Sequence, residues 1–233
     1  MRKSLFLAAP AVLLGFLAIL GWWQLVPRDD PRPLPPDLVG LTTPEGQALL
    51  ADAEASADYP PLSSHFEAQA LRSYCGVASG VIVLSALGRE TSQKAFFVAT
   101  ADNLRPRWRV VLTGMPLADL GMLLAAHDVG IAVHHASDSS PDSFRRAVQA
   151  NLGKSGDYLI VNYQREVLGQ EATGHISPLA AYDADTDRVL VMDTASYKYP
   201  PTWVPIEKLF AAMNTIDSET GRTRGYVEVT ATP

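Results

Sequence analysis

The sequence predicts an α+β domain, with a helical half followed by an antiparallel β half and preceded by one N-terminal hydrophobic helix. Three observations support this: apolar residues at helical spacing dominate the first half, short β-branched runs dominate the second, and turn residues separate those runs. Of the 233 residues, 47% are hydrophobic and 19% are charged, which excludes a disordered chain. The net charge of −6 argues against a nucleic-acid partner, because such proteins carry a basic surface.

The N-terminus combines a basic start with an apolar run over residues 5–25. A run of about 20 apolar residues can cross the bilayer core as a helix, and Trp22 and Trp23 stand where interfacial aromatics collect. We therefore expect residues 1–26 to form a membrane anchor that leaves the rest of the chain on the periplasmic side of a bacterial inner membrane. The alternatives are a cleaved signal segment, which would leave the domain free in the periplasm, and a buried core helix.

Residues 27–37 are rich in proline and in charged side chains. This composition predicts an extended, semi-rigid linker. We expect the linker to hold the domain formed by residues 38–233 away from the membrane surface.

Capping residues and glycines mark the helix boundaries. Thr43 and Ser140 each stand before a proline, which places a capping side chain ahead of proline at the first helical position. Gly88 follows a strongly apolar segment that begins at Cys75 and has the length of a buried helix. The predicted helices cover residues 44–55, 75–87, 116–127, 140–152 and 206–213.

The predicted strands are short runs of β-branched and aromatic residues. An acidic turn at residues 183–187 separates two of them. The strands cover residues 131–135, 158–163, 176–182, 189–192 and 225–229.

Cys75 is the only cysteine of the chain. A single cysteine excludes an internal disulfide and a cysteine-rich zinc site. It stands at the start of the predicted helix 75–87, where the helix dipole and free N–H groups favour the thiolate over the thiol. Cys75 is therefore either a nucleophile or an inert buried side chain.

Two further residues complete a set that can support nucleophilic catalysis. His175 stands at the start of one predicted strand, and Asp193 follows the end of another. From these positions an imidazole can face a cleft and a carboxylate can fix its orientation. Alone, each such residue more often has a structural role, in a local hydrogen bond or a turn. The order cysteine, histidine, aspartate favours a catalytic triad.

The segments around these residues resemble the motifs of the phytochelatin synthase family. Residues 69–79 are similar to its nucleophile segment, and residues 174–178 to its histidine motif. Residues 193–205 resemble its aspartate motif and contain the specific run Tyr-Lys-Tyr-Pro-Pro. The turn at residues 223–225 also matches, so the resemblance extends over residues 38–230.

This resemblance implies a papain-like thiol transferase fold and assigns four catalytic roles. Cys75 would attack the Cys–Gly bond of glutathione, release glycine and hold γ-glutamylcysteine as a thioester. His175 would act as general base and then acid, and Asp193 would orient it. Gln69 matches the glutamine of the family's oxyanion hole. A second glutathione would accept the acyl group to give phytochelatins, and water would give γ-glutamylcysteine.

The resemblance also implies the binding partners. Arg224, Gly174 and Tyr197 match substrate-binding positions, and Arg224 would bind the glutamyl end of the donor, although a solvated turn arginine is the alternative. No cofactor is expected to bind the protein tightly, and no metal ligands are assigned. Cadmium or zinc would enter as the metal–glutathione thiolate, which is then a substrate. The expected partners are glutathione, its metal complexes and the membrane, and a homodimer is left open.

Two departures from the family pattern bear on the products. Ser196 stands where the family commonly has an arginine associated with acceptor binding, and the sequence ends at Pro233 without the cysteine-rich region of plant members. We therefore expect the short bacterial form, which cleaves glutathione and transfers weakly. The alternatives are a generic membrane-tethered papain-like cysteine peptidase and a non-catalytic metal–glutathione binding module.

Overall fold

The structure is a computed structural model that describes residue 21 and residues 23–98 and 103–232. Most of the predicted anchor therefore lies outside the described residues. The helices are α1 (Pro44–Asp52), α2 (Tyr59–Ser64), α3 (Cys75–Ala86), α4 (Arg107–Thr113), α5 (Leu117–Ala125), α6 (Pro141–Leu152) and α7 (Ile206–Met213). The strands are β1 (Val39–Gly40), β2 (Val129–His135), β3 (Asp157–Gln164), β4 (Gly174–Asp183), β5 (Arg188–Val191), β6 (Thr202–Pro205) and β7 (Gly225–Ala231).

The strands form one seven-stranded sheet in the order β1-β6-β5-β4-β3-β7-β2. Every neighbouring pair is antiparallel. The predicted α+β class with antiparallel strands is confirmed. Strands β4 and β5 are antiparallel neighbours in the middle of the sheet. The start of β4, which contains His175, and the end of β5, which precedes Asp193, therefore lie at the same edge of the sheet.

Helices cover both faces of the sheet, and β3 shows why. Its Tyr158 and Ile160 face one core with α3 and α5, while Leu159 and Val161 face a second core with α6 and α7. Alternate residues of a strand point to opposite faces, so a strand covered on both sides is apolar throughout. Helix α3 is buried along most of its length, which explains its continuous apolar sequence.

The predicted helices and strands are present, and their boundaries differ from the predicted ones by at most three residues. Four short elements were not predicted: β1, α2, α4 and β6. Helix α4 follows Pro106 and has seven residues, which are too few to show a helical period in the hydrophobic pattern. Strand β6 has four residues and is defined by its pairing with β5, which depends on distant sequence.

The segment expected to be a spacer packs against the domain. The backbone N–H groups of Asp30 and Arg32 donate to the carbonyls of Tyr197 and Lys198, each at 2.9 Å. The carbonyl of Leu25 accepts a hydrogen bond from the N–H of Arg72 at 2.9 Å. Asp30 and Arg32 of the predicted linker therefore lie along the domain, and the expectation that the linker holds the domain away from the membrane surface stays a prediction. Unpaired backbone groups of an extended segment gain partners by lying along a neighbouring loop.

Candidate active site

Cys75 and His175 line the same cleft, which has a volume of about 780 Å³. Cys75 is the first residue of α3, and His175 is the second residue of β4. The structure therefore brings together two residues that are 100 positions apart. The cleft is large enough for a tripeptide, since ligand sites commonly measure about 300–1,000 Å³.

The start of α3 is fastened to strand β4 by close packing and hydrogen bonds. A Cβ at Gly76 would lie 2.9 Å from Met115 Sδ and 3.2 Å from Ile176 Cδ1, so a larger residue would have to displace these side chains. One turn later, Ser79 Oγ donates to the carbonyls of Cys75 and Ile176, at 2.8 and 3.1 Å. These contacts fix the Cys75 side chain beside the residue that follows His175.

His175 and Asp193 form the second half of the predicted triad. Nε2 of His175 lies 3.0 Å from Oδ1 of Asp193, and both side chains are buried. The Nε2–H direction is not aligned for a hydrogen bond, and contacts between catalytic side chains often tighten only when substrate binds. Because Nε2 faces the carboxylate, Nδ1 is the nitrogen left to exchange a proton with Cys75.

Arg165 is a third partner of this group that sequence reasoning missed. Its side chain is 2% exposed, and its Nη2 lies 2.7 Å from Asp193 Oδ1. Its Nη1 donates to Gln170 Oε1 at 2.7 Å, and its guanidinium lies 5.0 Å from the Tyr199 ring centroid. A buried arginine requires such partners, but no local pattern in the sequence distinguishes it from a surface arginine.

The charges set the protonation of the resting site. Burial and the Arg165 guanidinium lower the pKa of His175 to about 4, against the opposing effect of Asp193. Burial alone would raise the pKa of Asp193, but Arg165 and His175 outweigh it and hold that pKa below its usual range. The pair is therefore a neutral imidazole beside an ionised carboxylate at neutral pH.

Cys75 differs from the expectation of a thiolate favoured by the helix start. Burial raises the pKa of the Cys75 thiol, while the backbone amides of Ile176 and Gly76 lower it by less. The loss of water around the sulfur thus outweighs the helix N-terminus. Cys75 is therefore a thiol at neutral pH, and a reaction at its sulfur would need a base such as His175 to take the proton.

Gln69 is buried, but it does not line the cleft in this conformation. Its Nε2 donates to the carbonyls of Leu71 and Arg72 at 3.0 and 2.7 Å. Both amide hydrogens are therefore used to hold the turn that precedes Cys75. The role of Gln69 in an oxyanion hole stays a prediction, and it requires these bonds to be exchanged when substrate binds.

Arg224 and Gly174 lie together in the cleft, as predicted for substrate-binding residues. Arg224 Nη1 donates to Thr215 Oγ1 at 3.0 Å and to the Ile216 carbonyl at 2.7 Å. Its Nε is buried and has no hydrogen-bond partner among the described residues. A Cβ at Gly174 would lie 3.2 Å from Arg224 Nη2. The Nε and Nη2 edge of the guanidinium thus lies against Gly174, the residue before His175.

Asp217 lines the same cleft and was not predicted. Its Oδ1 accepts from the Glu219 N–H at 2.9 Å, which leaves its other oxygen without a hydrogen-bond partner in the described part of the chain. Asp217 and Arg224 offer one anion and one cation in the same cleft. Such a pair is complementary to the amino and carboxylate groups of an amino-acid terminus.

The buried Arg105 holds in place the loop at residues 217–219, which carries Asp217. Its Nη1 and Nη2 bind Glu219 at 2.8 and 2.9 Å, and Nη1 also binds Asp119 at 2.7 Å. Glu219 bonds in addition to Arg109 on α4. This network joins the loop at residues 217–219 to α4 and α5.

Tyr197 does not line the cleft, although it was predicted to bind substrate. Its carbonyl accepts from Asp30, and burial raises the pKa of its hydroxyl, with the charge of Arg72 opposing the change. Within the described ranges, no group of three or more histidine, cysteine and acidic side chains is arranged to hold a metal ion.

The comparisons with known proteins agree with this site. The family model described as phytochelatin synthase matches residues 30–226. Glutathione gamma-glutamylcysteinyltransferase 3 of Lotus japonicus is 32% identical and covers 84% of this chain and 43% of its own. Glutathione gamma-glutamylcysteinyltransferase 1 of Arabidopsis thaliana is 32% identical, and the match covers 84% of this chain and 42% of that protein. The glutathione gamma-glutamylcysteinyltransferase of Schizosaccharomyces pombe is 26% identical, and the match covers 73% of this chain and 42% of that protein.

The chain spans less than half the length of these curated relatives. Among solved structures, the Salmonella effector SpvD (G161 variant) aligns with 90% of this chain and 86% of its own at 12% identity, and the TM-score of 0.33 is too low to support an argument. The family match covers most of the chain and includes every residue of the Cys75, His175 and Asp193 site. The chain belongs to the phytochelatin synthase family.

Proposed function

We propose that this protein cleaves the Cys–Gly bond of glutathione through a thioester on Cys75. The observation that carries the proposal is the cleft that Cys75 and His175 both line, together with the distance of 3.0 Å between Asp193 Oδ1 and His175 Nε2. The printed names of the relatives, glutathione gamma-glutamylcysteinyltransferases, support the same chemistry.

The protonation of the resting site defines the first step. His175 Nδ1 takes the thiol proton as the Cys75 sulfur attacks the carbonyl carbon of the cysteinyl residue. The tetrahedral oxyanion is stabilised by the backbone N–H of Cys75, at the start of α3, where N–H groups have no intrahelical partner. His175 then returns the proton to the departing nitrogen, glycine leaves, and γ-glutamylcysteine remains bound to Cys75 as a thioester.

The glutamyl end of glutathione has an α-amino group and an α-carboxylate. We place it between Asp217 and Arg224, because these side chains are a complementary anion and cation that line the cleft. This placement explains a preference for γ-glutamyl substrates, since an ordinary peptide would present an uncharged amide there. A cadmium or zinc bis-thiolate of glutathione is a second form of the substrate, which requires no metal site on the protein.

The fold supports the papain-like assignment in outline. The resemblance implies a papain-like enzyme, and such enzymes use a cysteine–histidine pair. Cys75, at the start of the buried helix α3, and His175, near the start of the antiparallel strand β4, supply such a pair. The assignment rests on this arrangement and on the resemblance described above.

We also propose that residues 1–26 anchor the chain to a membrane, with the domain on the periplasmic side. The support is the apolar sequence of residues 5–25. Among the described residues, no helix is long and apolar enough to span a bilayer. A reporter fused after Pro36 should be active only in the periplasm, and activity confined to the cytoplasm would reverse this topology.

The test of activity compares glutathione with a tripeptide that has alanine in place of the γ-glutamyl residue. We expect the full chain in detergent to release glycine from glutathione only, with or without cadmium, and Cys75→Ser to abolish the release. Mass spectrometry identifies the products. Equal cleavage of both peptides would indicate a generic cysteine peptidase, and binding without glycine release would indicate a binding module.

A further inference from the structure

The predicted anchor ends inside the catalytic cleft. Gln24 and Leu25 line the same cleft as Cys75, and residues 23–25 are helical. The Leu25 carbonyl accepts from the N–H of Arg72, three residues before Cys75. Because residues 30 and 32 are also hydrogen-bonded to the domain, no free spacer separates the apolar segment from the site.

The length of the apolar segment indicates how deep in the bilayer its last residue, Leu25, would lie. A helix rises about 1.5 Å per residue, so residues 5–25 would span about 31 Å as a helix. The hydrocarbon core is about 30 Å thick, and the headgroup regions add about 5–7 Å on each side. If this segment crosses the bilayer, Leu25 reaches the headgroup region, and the cleft that it lines lies at the same level.

The surface beside the cleft is unusually apolar for a solvent-exposed region. Trp108 and Leu112 on α4 are 65% and 66% exposed, and Trp23 is 57% exposed. Trp108 and Leu112 are four residues apart, so they lie on one side of the helix. Leu112 lines the cleft together with Leu25, so the exposed side of α4 and the end of the apolar segment border the same cleft. Exposed apolar surface of this kind marks an interaction site.

The polar groups around this surface suit a lipid headgroup region. Arg109 on α4 is half exposed, and the Arg28 guanidinium lies 4.0 Å from the Trp23 ring centroid. Tryptophan and arginine beside each other are typical of membrane interfaces, where the ring is half buried and the charge reaches water or phosphate.

We propose that Trp23, Trp108 and Leu112 insert into the headgroup region of the bilayer, so that the catalytic cleft opens at the membrane surface. The inference rests on the proposed anchor and adds the orientation of the domain. Substrate then enters the site along the membrane plane rather than from the side facing away from it. The surface formed by Trp23, Trp108 and Leu112 is called the apolar rim below.

The lone cysteine of the chain allows a direct test. In a Cys75→Ser background, single cysteines replace Leu112 or Trp108 in the full chain, and each is labelled with an environment-sensitive fluorophore. The labelled protein is reconstituted into phosphatidylcholine–phosphatidylglycerol vesicles that carry nitroxide lipids with the spin label near the headgroup or deep in the acyl chain. Ala150→Cys on α6, exposed on the opposite face of the sheet, is the control, and Leu14→Cys reports the anchor.

We expect the headgroup-level nitroxide to quench labels at residues 112 and 108 several-fold more than the label at residue 150. The deep nitroxide should quench the label at residue 14. Adding Trp108→Glu, with folding checked by circular dichroism, should reduce the quenching at residue 112. This pattern supports the apolar rim as a bilayer contact.

Other patterns overturn the inference in distinguishable ways. Quenching at residue 14 with none above the control at residues 108 and 112 means that the anchor is inserted and the cleft faces water. No quenching at residue 14 means that residues 1–26 do not insert into the bilayer, which overturns the proposed anchor. Shielding of residues 14 and 112 from lipid and from an aqueous quencher together means that the N-terminal segment covers the apolar rim.

Discussion

Arg165 and Asp193 form a buried ion pair, with Nη2 2.7 Å from Oδ1, and the same carboxylate oxygen lies 3.0 Å from Nε2 of His175. One oxygen therefore faces two positively polarised groups. Arg165 keeps Asp193 ionised, and it also disfavours a proton on His175. The arrangement provides a neutral base next to a thiol instead of a preformed thiolate–imidazolium pair.

The first prediction concerns the pH dependence of glycine release in Arg165→Met. His175 acts as a base only above its pKa, which burial and Arg165 lower to about 4. Removing the guanidinium charge should raise that pKa, so the acid limb of kcat/KM should move to higher pH, toward the ordinary histidine value of about 6.5. Initial rates between pH 4 and 9 measure the shift.

Arg165→Met should also lower stability by about 3–5 kcal/mol, because Asp193 is left as an unpaired buried charge. Arg165→Lys keeps the charge and is the matched control, with a smaller shift of the acid limb. A folded Arg165→Met variant with an unchanged pH profile would show that Arg165 only supports the packing around the site.

Asp193→Asn should reduce turnover while leaving Cys75 in place. The amide cannot stabilise a protonated imidazole, and in serine triads this change costs about 10⁴-fold in turnover. We expect a loss between about 10-fold and that value, together with lower thermal stability, since Arg165 loses its partner. Steady-state kinetics measure the loss. Asp185→Asn in the exposed turn after β4 is the control, and a loss of less than about twofold in Asp193→Asn would place Asp193 outside the mechanism.

Ser196→Arg should change which nucleophile resolves the thioester. Transfer requires a second glutathione to compete with water, and a clamped acceptor can gain a large effective concentration. Ser196 is exposed, so an arginine can be accommodated there and can bind an acceptor carboxylate. We expect mainly γ-glutamylcysteine from the unaltered protein, and a higher ratio of transfer to hydrolysis in the variant with a similar rate of glycine release.

Product analysis by mass spectrometry, with and without cadmium, gives this ratio. Ser63→Arg on α2 adds the same charge at an exposed position outside the cleft and is the matched control. Efficient phytochelatin formation by the unaltered protein would contradict the prediction, and so would a ratio that Ser196→Arg leaves unchanged.

Asp58→Asn should stabilise the protein at neutral pH. The Asp58 carboxyl is fully buried without a hydrogen-bond partner in the described part of the chain. Burial and the neighbouring Asp157 raise its pKa to about 8. The folded state therefore holds a proton that the unfolded state releases above about pH 4, so stability falls as pH rises from about 4 to 8.

An asparagine at position 58 has no carboxyl group to titrate, so it removes this dependence of stability on pH. We expect Asp58→Asn to raise the unfolding midpoint at pH 8 by at least about 2–4 °C, equivalent to about 1 kcal/mol, and to have a smaller effect at pH 4. Thermal unfolding in detergent at both values measures the difference. Asp52→Asn on the exposed end of α1 should show no such trend, and a gain that is equal at both pH values would contradict the proposed protonation of Asp58.

Sequence reasoning predicted the elements whose signal is local. A continuous apolar segment bounded by Cys75 and Gly88 predicts helix α3, because a helix buried along its length needs no polar face. Short elements were missed where a distant partner defines them, as in β6 with its pairing to β5. The same distinction applies to the site, whose motif residues Cys75, His175 and Asp193 were predicted and whose supporting Arg165 was not.

The amino-acid sequence by itself determined the fold class, the family and the three motif residues, because residue identity and spacing carry that information. Only the tertiary structure showed that Arg165 pairs with Asp193, that burial keeps Cys75 a thiol, and that Gln24 and Leu25 line the cleft. The physical reason is that pKa values and ion pairs depend on burial and on distances between residues far apart in the chain. Those quantities exist only once the helices and the sheet have packed together.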